Sequence, residues 1–174
     1  MKASGFIIDK EFKQHVWHSV VDMAEKHNDP GNFTTFSGYE YSSGGLHRNV
    51  LFAGGPEHTK KIIPFSSNDS NNPEDLWSFL EWYIETTGSG VISIPHNSNL
   101  SGGKMFASET FDGLPLTKGY ALTRSSIEPV VEVTQIKGDS ETHPLLSPHD
   151  EFASFEDVWW DVVSSYRSKN SSSV

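Results

Sequence analysis

The sequence predicts an α/β domain built on a mainly parallel sheet. Three observations lead there. Segments with helical and strand patterning alternate in the order helix, strands, helix, strand, long loop, strand, helix. Hydrophobic residues make up 35% and aromatics 12% of the 174 residues, enough for one packed core. One helix in the middle of the chain carries complete start and stop punctuation.

Residues 9–28 read as an amphipathic helix. Asp9 is its N-cap, Phe12, Val16, Val20, Met23 and Ala24 follow helical spacing, and Asn28-Asp29-Pro30-Gly31 breaks it. Residues 33–41 (FTTFSGYEY) are rich in aromatic and β-branched types and read as a strand. After a flexible turn at 42–45, residues 47–52 read as a second, neighbouring strand. A polar loop follows at 66–72. The punctuated helix comes next: Asn72 caps it, Pro73 takes the first position, Glu74 and Asp75 suit its N-terminus, and Gly88 stops it. Its buried stripe should be Leu76, Phe79, Leu80, Tyr83 and Ile84. Residues 91–94 form a short apolar strand ending in Pro95-His96. Residues 97–120, rich in Gly and Ser, read as one long loop of the kind that is functional or mobile. A strand at 130–136 and a helix at 156–166 complete the order. Residues 1–165 are expected to form one domain, and the tail at 166–174 to be disordered.

Charge and composition narrow the function. Thirteen Lys+Arg against 23 Asp+Glu give a net charge of −10, which disfavours nucleic acid as a partner. A small anionic substrate stays possible if bound divalent cations invert the local field. There are no cysteines, so any metal must be held by His, Asp, Glu and backbone oxygens, a set suited to zinc, manganese, iron or magnesium. No apolar run reaches the roughly 18 residues of a membrane span, and the N-terminus lacks a signal-peptide core. The expectation is a soluble chain with no membrane partner, cytoplasmic by default.

Several residues could carry chemistry. His96 stands at the C-terminal end of a strand, where α/β enzymes place their sites; its plainer reading is a strand cap. Glu40 closes an apolar strand and costs energy to bury unless paired or metal-bound; the alternative is a solvent-facing edge residue. His47 follows Glu40 across a Gly-rich turn, so two paired strands could bring both to one edge; otherwise it is a surface His beside Arg48. Glu132 could orient a histidine ligand from mid-strand, or face solvent. Asn97 and Asn99 sit in a polar loop, NSNLSGG. The run Lys137-Gly138-Asp139-Ser140-Glu141-Thr142-His143 could meet an anion or form a surface turn. His15, His18, His27, His58 and His149 lack such context. GxSxG, P-loop and HExxH motifs do not occur. A carbohydrate-binding module using Trp77, Trp82, Trp159 and Trp160 is a further reading, although Trp77 and Trp159 have the spacing of core residues.

At GYEYSSGGLHRNVLF, NNPEDLW, IPHNSNLSGGKMF and EVTQIKGDSETHPLLSPHDEFA, from about Gly5 to Asp157, the sequence resembles the domain-of-unknown-function 3604 family. That family is similar to the polymerase-and-histidinol-phosphatase (PHP) metal hydrolases. The resemblance implies a distorted β/α barrel, here lacking its first and last strands, and a phosphoester hydrolase using two or three Mn, Zn or Fe ions. It implies metal ligands at Glu40, His47 and His96. Arg48, Asn97, Asn99, Lys137, Asp139 and His143 are candidates for substrate contact, and Glu132 for support of a ligand. The family's HxH and DxH ligand pairs occur nowhere in the chain. The implied chain is therefore a central portion, inactive alone, with sheet edges open to self-association.

Overall fold

A computed structural model describes residues 9–154. The elements are α1 (Lys10–His27), β1 (Ser37–Tyr41), β2 (Arg48–Phe52), α2 (Pro56–Thr59), α3 (Pro73–Thr87), β3 (Val91–Pro95), α4 (Lys118–Ile127), β4 (Thr134–Gln135) and β5 (Gly138–Asp139). Short 3-10 turns at Ser98–Leu100 and Lys104–Phe106 interrupt the segment between β3 and α4. The predicted helix at 156–166, Trp159, Trp160 and the tail lie outside the described residues. No helix among those described is long and apolar enough to cross a membrane.

The expectation of a mainly parallel sheet and a partial β/α barrel is overturned. The main sheet has three strands in the order β1-β2-β3, and both ladders are antiparallel. A separate two-stranded antiparallel ribbon joins β4 to β5. Neither sheet closes into a barrel. The link from Tyr41 to Arg48 is far shorter than the dozen or so residues a parallel crossover needs, so β1 and β2 form a hairpin. The chain from β2 to β3 passes through α2 and α3, yet β3 still pairs antiparallel with β2. β1 and β3 therefore run in the same direction, one on each side of β2.

One face of this sheet makes the core. Tyr41, Val50, Phe52 and Val91 point inward with Trp17, Val21, Leu76, Trp77, Leu80 and Tyr83 from α1 and α3. Phe52 sits edge-on to Tyr83 at 4.9 Å and to Trp17 at 5.7 Å, the favoured geometry for aromatic pairs. The Trp17 indole donates to the Thr59 carbonyl at 2.8 Å, which satisfies its one polar atom. α3 keeps its sequence signals: Asn72 accepts from Glu74 N–H, and Gly88 takes the left-handed conformation at φ 69°.

Three expectations change in detail. α1 begins on its Asp9 cap, but it buries Trp17 and Val21. Phe12, Val16, Val20 and Met23 form a second stripe, 41–54% exposed. The tail of the supposed loop 97–120 starts α4, with Thr117 as N-cap. The strand predicted at 130–136 shrinks to Thr134–Gln135. Val130, Val131 and Val133 stay about half exposed, so their β-branched side chains have no sheet face to pack on.

Candidate metal centre

The strand register builds the site. Tyr41 pairs with Arg48, and Arg48 pairs with Pro95. The ladder continues one residue further, where His96 N–H donates to the His47 carbonyl at 3.1 Å. The C-terminal ends of β1 and β3 and the N-terminal end of β2 thus share one edge of the sheet. Side chains alternate along a strand. Tyr41 and Arg48 take the core face, so Glu40 takes the opposite face, with His47 and His96 just past the strand ends.

The three side chains meet there. His47 Nδ1 lies 2.7 Å from Glu40 Oε1, and His96 Nε2 lies 3.2 Å from the same oxygen. One ligand atom from each residue falls within 4.8 Å of the others, the one group of this kind among the described residues. The two imidazole rings stand 5.8 Å apart at 75°. Burial is graded: His96 is buried, His47 is half-buried and Glu40 is exposed. Partial burial by itself would raise the Glu40 pKa. Hydrogen bonds from His47 and Ser42 and the fields of both histidines outweigh it, and hold the carboxyl below its ordinary range.

The arrangement fits a divalent cation. Bonds of about 2.0 Å at tetrahedral angles place ligand atoms roughly 3.3 Å apart, close to the two edges observed at Glu40. Two imidazoles and one carboxylate on one side leave the other positions open to water and substrate. His96 Nδ1 is buried with no hydrogen-bond partner, although histidine ligands usually donate from their second nitrogen.

Residues beside the triad hold it in place. Glu132 N–H donates to the Pro95 carbonyl at 3.0 Å, and Glu132 Oε2 accepts from Asn97 N–H at 3.2 Å and from the Gln135 side chain. Glu132 therefore supports the backbone on both sides of His96. Asn97 is left-handed at φ 58°, the one non-glycine residue with positive φ among those described, and neither polar atom of its buried amide has a partner. Strain of this kind gathers at functional sites.

The remaining candidates spread out. Arg48 turns to the core face, where its guanidinium donates to Glu128 at 2.6 Å and to the Leu46 carbonyl at 2.6 Å. Asn99 is buried and donates to the Lys137 carbonyl, while the Lys137 side chain is exposed. Asp139 accepts from the N–H groups of Glu141 and Thr142 inside its own turn. His143 Nδ1 accepts from Leu145 N–H at 3.2 Å. Trp77 is a core residue, and Trp82 is half exposed on α3. Sequence reading missed Glu128, which also accepts from Trp77 and Arg124. A lone glutamate before Pro129 carries no motif that could have marked it.

The family model described as "Protein of unknown function (DUF3604)" matches residues 2–174, a wider span than Gly5 to Asp157. Neither the search of curated proteins nor that of solved structures found a match.

Proposed function

The chain belongs to the DUF3604 family, and from the geometry of its site we propose that it is a metal-dependent hydrolase acting on phosphoester substrates. The observation that carries this reading is the convergence of His47 and His96 on one oxygen of Glu40, at a sheet edge open on one side. When bound, a divalent ion supplies Lewis-acid activation of water and neutralises charge developing on the phosphoryl group.

The chain's own residues set up that chemistry. Glu40 stays ionised and offers its charge to the cation. His96, locked between β3 and the Asn97 turn, fixes one ligand direction. His47, half-buried, forms the rim on the solvent side. The resemblance of GYEYSSGGLHRNVLF and IPHNSNLSGGKMF to the DUF3604 family, and the ligand positions that a kinship of that family with PHP hydrolases would imply at Glu40, His47 and His96, support the same assignment. Glu40, His47 and His96 suffice for one ion. A second or third would need the HxH and DxH positions, which the sequence does not contain.

Activity tests the proposal. One ion can activate water by itself, so, against the expectation of a chain inactive alone, the chain supplemented with Mn²⁺ is expected to hydrolyse 4-nitrophenyl phosphate, and Glu40→Ala to abolish the turnover. Turnover by the wild type no faster than by Glu40→Ala counts against a hydrolase.

A further inference from the structure

Directly after His96 the chain enters the wall of a cavity of about 610 Å³, within the 300–1,000 Å³ or so typical of small-molecule sites. Ser98 and Asn99 line one side, and Ser140, Glu141 and Thr142 line the other. One residue, Asn97, separates His96 from Ser98, so their Cα atoms lie within roughly 7 Å of each other. We infer that this cavity binds a neutral, polyhydroxylated group. Resting on the hydrolase reading, the substrate would then be the phosphate ester of a sugar or cyclitol, with its phosphoryl group at Glu40, His47 and His96.

The walls are tied into a formed site. Asn99 N–H donates to Ser140 Oγ at 3.2 Å, and Asn99 Nδ2 donates to the Lys137 carbonyl at 3.2 Å, which joins the two loops. Those bonds leave Asn99 Oδ1 buried without a donor, in a residue only 7% exposed. An unpaired buried carbonyl oxygen costs free energy unless a ligand donates to it. A hydroxyl group supplies such a donor once the wall loops shift to uncover the oxygen, which has almost no exposed surface in this structure.

Charge selects against the other ligand classes. Among the described residues no lysine or arginine lines the cavity, and its one imidazole, His143, accepts from Leu145 N–H at Nδ1, so no fixed positive charge faces a free anion. The Asp139 carboxylate is engaged by the N–H groups of its own turn, which leaves Glu141 as the acidic group facing the space. One carboxylate among hydroxyls, an amide and the apolar side chains of Leu145 and Leu146 matches a polyol, with its hydroxyls and C–H faces, better than a polycation. Phe106 adds an apolar surface: the Arg124 guanidinium covers it at 5.0 Å, yet 53% of the residue remains exposed. The C–H face of a sugar ring packs on such a surface.

Saturation-transfer NMR on the full, metal-free chain tests the inference, with methyl α-glucoside, myo-inositol, methylphosphonate and spermidine as probes. Saturation should reach at least one of the two polyols and not methylphosphonate. Phe106→Ala, a change at a half-exposed position, should weaken polyol binding about fivefold without altering Mn²⁺ affinity. Asn99→Leu should abolish polyol binding. No transfer to either polyol, polyol binding that both variants leave unchanged, or preferential binding of spermidine overturns the inference. Polyol binding by a chain that fails to bind Mn²⁺ would leave the cavity assignment standing and sink the metal reading alone.

Discussion

Arg48 Nε and Glu128 Oε1 lie 2.6 Å apart, and both side chains are 2% exposed. This ion pair sits one residue from His47, on the other face of the sheet. Trp77 Nε1 and Arg124 Nε also donate to Glu128, at 2.8 Å and 3.0 Å. Together they anchor the start of β2, and with it the metal edge, to α3 and α4.

Removing the acid strands two cations. Glu128→Ala is expected to lower unfolding stability by about 3 kcal/mol, because a broken buried pair leaves charge uncompensated. Urea denaturation followed by tryptophan fluorescence measures it. A loss under about 1 kcal/mol would show the pair to be dispensable.

Gly38 tests the hairpin beneath Glu40. A Cβ there would lie 2.7 Å from both the Val50 carbonyl oxygen and Leu51 Cδ2. The side chain can rotate away, but the backbone oxygen belongs to the ladder. Gly38→Ala should therefore cost about 1–3 kcal/mol and weaken metal binding by moving Glu40. Unchanged thermal unfolding would mean that the two strands lie further apart.

The legibility of the sequence differs between elements. The ends of α3 were readable, because Asn72, Pro73 and Gly88 each act through local backbone chemistry, while its buried stripe gains Trp77 and leaves Ile84 exposed. The three strands of the main sheet were readable, since β-branched and aromatic residues mark them, but the same marks overstated the strand at 130–136, and pairing direction was not readable. Patterning does not encode which neighbour a strand meets. The meeting of Glu40 and His47 was nonetheless readable, because a short link between them demands a hairpin whatever the wider topology, whereas His96 joined them only through the family resemblance. The span and cap of α1 were readable, but its buried face was misread because two stripes share helical spacing. Periodicity could not tell Phe12, Val16, Val20 and Met23 from Trp17 and Val21, and only the aromatic seat for Trp17 decides. Glu128 left only its i,i+4 spacing to Arg124 as a trace, since its other partners lie 80 and 51 residues away.

The two stripes of α1 give a direct contrast. Val21→Ala, at a fully buried position, should cost about 2 kcal/mol. Val16→Lys, on the exposed stripe, should stay within about 0.5 kcal/mol. The reverse order in thermal unfolding would place the other stripe against the sheet.

Asn97 separates strain from packing. Glycine adopts the left-handed conformation without penalty and removes the unpaired amide, so Asn97→Gly should hold stability within about 1 kcal/mol of wild type or raise it. Asn97→Val should lose about 1–2 kcal/mol. Chemical denaturation of both checks this, and equal stabilities would contradict the left-handed turn after His96.

The account turns on whether Glu40, His47 and His96 hold a cation. Calorimetric titration of the metal-free chain with Mn²⁺ measures this directly. One ion should bind per chain, and the Glu40→Ala, His96→Ala double variant should bind it weaker by about two orders of magnitude. Equal Mn²⁺ affinity in wild type and double variant would contradict the metal centre.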